Sequence, residues 1–114
     1  MSETNKQVLL QANAAIVRGD HEGFLKHCTE DTRWVFVGDR TLEGKEAVRR
    51  WMAETYAEPP RFDVRRLVAE HDTLVAIGEI TLKDGEGKPQ RHAYCDVWQL
   101  RDGRLAELQA FVVG

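Results

Sequence analysis

After Pro59-Pro60 the character of the chain changes, and that change limits the fold more than any other feature. "RFDVRRLVAE", "LVAIGEITL", "RHAYCDVWQL" and "RLAELQAFVV" are rich in β-branched and aromatic residues and are separated by "HDT", "KDGEGKPQ" and "RDG". Successive turns of this kind join neighbouring strands that run antiparallel, so the second half of the chain predicts a meander.

Before the prolines the periodicity is mostly helical. Over residues 4–17, Val8, Ala12, Ala15 and Ile16 fall near one stripe, and "RGD" at 18–20 ends the run with a glycine. Asp20 can cap a second helix reaching to about Cys28, with Glu22 in its first turn and Phe24 and Leu25 on its apolar side. "TRWVFVG", 32–38, reads as a strand closed by a Gly-Asp turn. Gly44 then opens a helix with Ala47, Val48, Trp51, Met52 and Tyr56 at three- and four-residue steps, stopped by the two prolines. Helices first and strands afterwards predict an α+β fold, with the N-terminal helices packed on one face of a curved antiparallel sheet. No repeat or linker divides the chain, so one domain over 1–114 is expected.

A chain of 114 residues has surface enough for one core and little surplus for an internal cavity, so a cavity implies a partner subunit. The net charge is −3 with acids and bases interspersed, which argues against nucleic acid. The clustered bases, Arg49-Arg50 and Arg61, Arg65 and Arg66, read as solvated faces. No apolar run approaches the ~18 residues of a membrane span. The start "MSETNKQ" lacks a signal peptide's features, and Cys28 and Cys95 have no C-x-x-C spacing and read as reduced thiols. Together these features predict a cytoplasmic protein.

In "HAYCDVWQL" strand alternation sends Asp96 the same way as His92, Tyr94, Trp98 and Leu100. A carboxylate set between two aromatics is either a buried acid paired with an arginine or tyrosine, or a functional group in an apolar pocket. Metal chelation fails on distance, because His92 and Asp96 lie about 13 Å apart along a strand. His21, His27 and His71 sit in separate elements, and no Walker loop, G-x-G-x-x-G or G-x-S-x-G motif is present, so neither metal nor cofactor is expected.

Taken in order, "RGDHEGFLKHCTEDTRWVF", "LEGKEAVRRWM" and "CDVWQLRDGRLAELQAFV" resemble the NTF2-like superfamily, in its SnoaL-like and ketosteroid isomerase-like branch. The resemblance implies a cone: a curved sheet wrapped around helices, enclosing an apolar pocket, usually in a homodimer. It also implies that the Asp96 face lines this pocket, with walls from Trp34, Phe36, Trp51, Trp98, Leu108 and Ala110. A flat or cyclic apolar ligand with one polar oxygen would suit such walls.

Laid against ketosteroid isomerase, Asp96 falls on the protonated aspartate of the oxyanion hole, a standard example of an acid kept neutral by an apolar site. That enzyme's catalytic aspartate falls on Phe36, and its oxyanion tyrosine falls on Ala12, so steroid isomerisation is not expected. Tyr94 could replace the tyrosine. A substitute base would be His92, on the same strand face, or Glu79, inside "LVAIGEITL"; their plainer roles are a solvated strand end and an edge salt bridge. The expectation is a cofactor-independent enzyme performing proton transfer, isomerisation, cyclisation or hydration on a small apolar carbonyl compound. A ligand-binding module and a dimerisation module of the same fold are the alternatives.

Overall fold

The longest strand of the computed structural model, which describes residues 2–114, carries the Asp96 sequence through the middle of the sheet. In chain order the elements are α1 (Ser2–Val17), α2 (His21–Leu25), β1 (Cys28–Phe36), β2 (Arg40–Glu43), α3 (Lys45–Thr55), β3 (Arg61–Glu70), β4 (Thr73–Lys83), β5 (Pro89–Arg101) and β6 (Arg104–Val113). The strands form one sheet in the order β2-β1-β6-β5-β4-β3. The expected meander is β3 to β6, antiparallel throughout, and among the described residues only the β1–β6 pair is parallel.

Local chemistry sets the corners. Gly19, at φ +81°, closes α1 with its amide donating to the Ile16 carbonyl, and the Asp20 carboxylate then caps α2 by accepting from the Gly23 amide at 2.9 Å. Asp102 and Gly103 both take positive φ in the two-residue turn between β5 and β6. That geometry matches the twist of the flanking strands. A bulge in β3 between Val64 and Arg66 brings the Asp63 carbonyl so close to Gly78 that a Cβ there would stand 2.2 Å from it.

The predicted elements differ from the structure in two places. The second helix ends at Leu25, and Cys28 already begins β1. The polar "CTED" gave no strand signal, but β6 captures it: the Leu105 amide donates to His27, and the Thr32 hydroxyl bonds the Leu105 and Ala106 carbonyls. Strand β2 carries only Leu42 as a buried residue, so it shows no alternation to read. It pairs along the free edge of β1.

Helices α1 and α3 cover the concave face. Leu9, Ala12 and Ile16 of α1 and Val48 and Met52 of α3 are all at most 2% exposed and meet Trp34, Leu74, Trp98, Leu105 and Leu108 from the sheet. This is the α+β cone that the sequence predicts. Among the described residues no helix is long and apolar enough to cross a membrane.

Candidate functional site

Strand register sorts the concave face into rows across the sheet. One row runs Leu74, Trp98, Leu108, Trp34; the next runs Ala76, Asp96, Ala110, Phe36; the third runs Gly78, Tyr94, Val112. Large side chains in the first row close the cone, and small ones beside Asp96 leave it hollow. The cavity is about 70 Å³, enough for several waters or part of a small ligand. It opens to solvent, and Val112, half exposed, lies in its lining.

All six expected wall residues, Trp34, Phe36, Trp51, Trp98, Leu108 and Ala110, line this cavity, as do Asp96 and Tyr94. The aromatic wall is continuous: Trp51 packs on Phe36 with ring centroids 4.9 Å apart, on Tyr56 at 5.0 Å and on Trp34 at 5.8 Å. The polar edge of Trp34 is already committed, since its Nε1 donates to the Thr32 hydroxyl at 3.2 Å.

The two candidate bases lie elsewhere. Glu79 pairs across the sheet with Ala93, one residue out of phase with the Ala76–Asp96 pair, and so projects from the outer face. There it meets the Arg65 guanidinium at 2.7 Å and the Arg91 guanidinium at 2.6 Å. His92 does share the Asp96 face, but it lies in the row beyond Tyr94, outside the cavity lining, and its Nδ1 is 3.0 Å from the Gly114 carbonyl. Neither residue lines the cavity with Asp96.

Asp96 has no hydrogen bond or ion pair to any described residue, and no Lys, Arg or His lines the cavity with it. Burial without a countercharge pushes its carboxyl up to about 7. Tyr94 is raised to about 12, first by burial and then by the nearby Asp96 and Asp63 charges. Tyr56 is raised by burial, with Asp96 and Tyr94 adding to it. Both phenols therefore stay protonated near neutrality and can only donate to an anionic oxygen. The Tyr94 hydroxyl and the Trp98 Nε1 are buried without a partner. Leaving such groups unsatisfied is costly, about 1–3 kcal/mol each.

Tyr56 and Asn13, which are not among the expected site residues, also line the cavity. Their signals were present. Tyr56 follows Trp51 and Met52 on the apolar stripe of α3, and Asn13 stands between Leu9 and Ile16 on the core-facing side of α1. Among the described residues no three His, Cys, Asp or Glu side chains gather closely enough to hold an ion.

Comparison with known proteins agrees with this geometry. The SnoaL-like domain family matches residues 9–108. No curated protein matches the chain in sequence. Among solved structures, an LEH-like epoxide hydrolase from M. tuberculosis superposes with a TM-score of 0.87 at 13% identity, covering 97% of this chain and 84% of that one. A candidate SnoaL-like polyketide cyclase from Jannaschia sp. CCS1 gives 0.84 at 18% identity, covering 97% and 86%. TerC, co-crystallized with polyporic acid, gives 0.82 at 20% identity, covering 94% and 89%. At these identities the likeness is one of fold.

Proposed function

Because the chain belongs to the SnoaL-like domain family, we propose that its cone is a cofactor-independent active site that moves a proton beside the carbonyl of a small apolar compound. One observation carries this reading: the cavity holds a single carboxyl, unpaired, among protonated hydroxyl and indole donors. A neutral Asp96 acting only as a donor would need a base opposite it, and the lining supplies none. Asp96 is therefore the base. Its carboxylate takes the proton from the carbon next to the carbonyl, the C–H electrons form a C=C bond, and the carbonyl becomes an enolate oxygen. Tyr94, Tyr56 and Trp98 are the donors available to that oxygen, and developing charge in a low-dielectric site makes their help large. Protonated Asp96 then returns the proton, to the same carbon or to another along the enolate.

The fold neighbours named as a polyketide cyclase and an epoxide hydrolase support a small-molecule site in this cone without naming the substrate. Deuterium exchange at the carbon next to the carbonyl, followed by proton NMR with simple ketones, tests the chemistry. Asp96→Asn should lower the rate by about 10²-fold or more. The wild-type rate should rise with pH through about 7, because the working form is the carboxylate. An unchanged rate in Asp96→Asn sinks the enzymatic reading and leaves a ligand-binding module.

The outer face supports a homodimer under the same reading. Ile77, Cys95 and Phe111 form a row across β4, β5 and β6, with Ile77 38% and Phe111 41% exposed. A second copy laid on this row would cover it. Sedimentation should give a dimer for the wild type and a monomer for Cys95→Arg.

A further inference from the structure

The cavity wall divides by exposure. Trp34, Tyr94 and Trp98 are buried to 6% exposure or less, whereas Phe36, Trp51, Tyr56 and Asp96 are only partly buried. Rings at such spacings are ordinarily core, as Trp34 and Trp98 are here. Phe36, Trp51 and Tyr56 differ in keeping some exposure while lining a cavity whose one carboxyl has no Lys, Arg or His beside it.

These rings form an arc that begins and ends near Asp96. Asp96 and Phe36 belong to one row of the sheet, with only Ala110 between them. Neighbouring strands lie about 4.8 Å apart, so the two residues stand about 10 Å from one another across an alanine methyl. From Phe36 the wall passes to α3, where Trp51 packs at 4.9 Å with its ring tilted by 33°. Tyr56, just past that helix, packs on Trp51 at 5.0 Å and 73°. The Tyr56 phenol, raised first by burial, is raised further by the charge of Asp96, so the arc returns toward the carboxyl.

A carboxylate without a countercharge, faced by aromatic rings, suits a positive guest. Ring faces carry negative charge and attract a cation within about 6 Å of the ring centre. A cation midway along the row lies about 5 Å from the strand of Asp96 and from that of Phe36. The lining offers few acceptors besides Asp96, chiefly the Asn13 amide, so an ammonium with three N–H groups would leave some unsatisfied. A methylated ammonium has no such need and presents an apolar surface to the rings.

We infer that the cone takes a small methylated ammonium ion, paired with the Asp96 carboxylate and enclosed by Phe36, Trp51 and Tyr56. This ligand class lies beyond the carbonyl compound of the proton-transfer reading. The two share the cavity and Asp96, so each excludes the other.

All three tryptophans of the chain, Trp34, Trp51 and Trp98, line the cavity, so intrinsic fluorescence reports its occupancy. The probes are choline and 3,3-dimethylbutan-1-ol, its uncharged isostere, titrated into the intact protein at pH 8, where Asp96 is ionised. Choline should bind about tenfold more tightly than the alcohol. Asp96→Asn should abolish that preference. Phe36→Leu, which keeps an apolar side chain and removes the ring, should weaken choline several-fold and leave the alcohol nearly unchanged. The wild-type ranking stands as a test even if a variant fails to fold.

Equal affinities, or tighter binding of the alcohol, overturn the assignment, as does a choline preference that survives Asp96→Asn. Choline should also slow Asp96-dependent deuterium exchange of a ketone, and exchange that continues unchanged with choline bound overturns its placement at Asp96. The choline preference without any exchange supports the cation site and sinks the chemistry. Exchange without the preference overturns the cation site alone.

Discussion

Glu79 on β4 and Asp96 on β5 are carboxylates on neighbouring strands of one sheet, one on each face. On the outer face Glu79 has water and two guanidiniums, those of Arg65 and Arg91, and Asp63 shares both of these partners. On the inner face Asp96 has aromatic rings, two flanking alanines and no cation. The same functional group is thus a solvated ion-pair member in one place and a raised-pKa acid in the other. The lesson is that Asp96 is set apart by the partners it lacks, whereas charge density alone would single out the outer face.

The comparison can be broken most forcefully through stability. Asp96 holds its proton more tightly folded than unfolded, so the native state binds more protons between about pH 4 and pH 7. Its contribution is therefore most favourable below about pH 4, declines as pH rises toward about 7, and is constant above that. The full span is up to about 4 kcal/mol. Asp96→Asn should flatten this dependence and unfold at higher denaturant than wild type at pH 8. A variant less stable than wild type at pH 8 would contradict the isolation of Asp96. Glu79→Gln is the smaller and sharper control. Exposed pairs contribute little, so the change should cost under about 1 kcal/mol and leave deuterium exchange intact. A large loss of exchange in Glu79→Gln would return the outer face to the chemistry.

Much of the fold was legible because turn chemistry and alternation are local. "RDG", with Asp102 and Gly103 in the left-handed region, announces its hairpin, and the period of two already joins Tyr94, Asp96 and Trp98. What alternation within one strand cannot supply is register between strands. Whether Glu79 lies beside Asp96 or opposes Ala93 depends on how the turn-rich "KDGEGKPQ" closes, and it closes with Lys83 opposite Pro89. The early start of β1 was hidden for a similar reason. Glu30 and Asp31 are exposed and polar, and the segment is tied to β6, far along the chain, only at its ends, by the Cys28–Leu105 pair and by the Thr32 hydroxyl on the Leu105 and Ala106 carbonyls.

The central claim is that Asp96 is an unpaired carboxyl in an apolar cone, and its own titration tests this most directly. Carbon-detected NMR of the side-chain carboxyl, assigned by its absence in Asp96→Asn, should give a pKa of about 7. A value at or below the ordinary aspartate value of about 3.9 would mean that the group is solvated or paired, and would contradict the account.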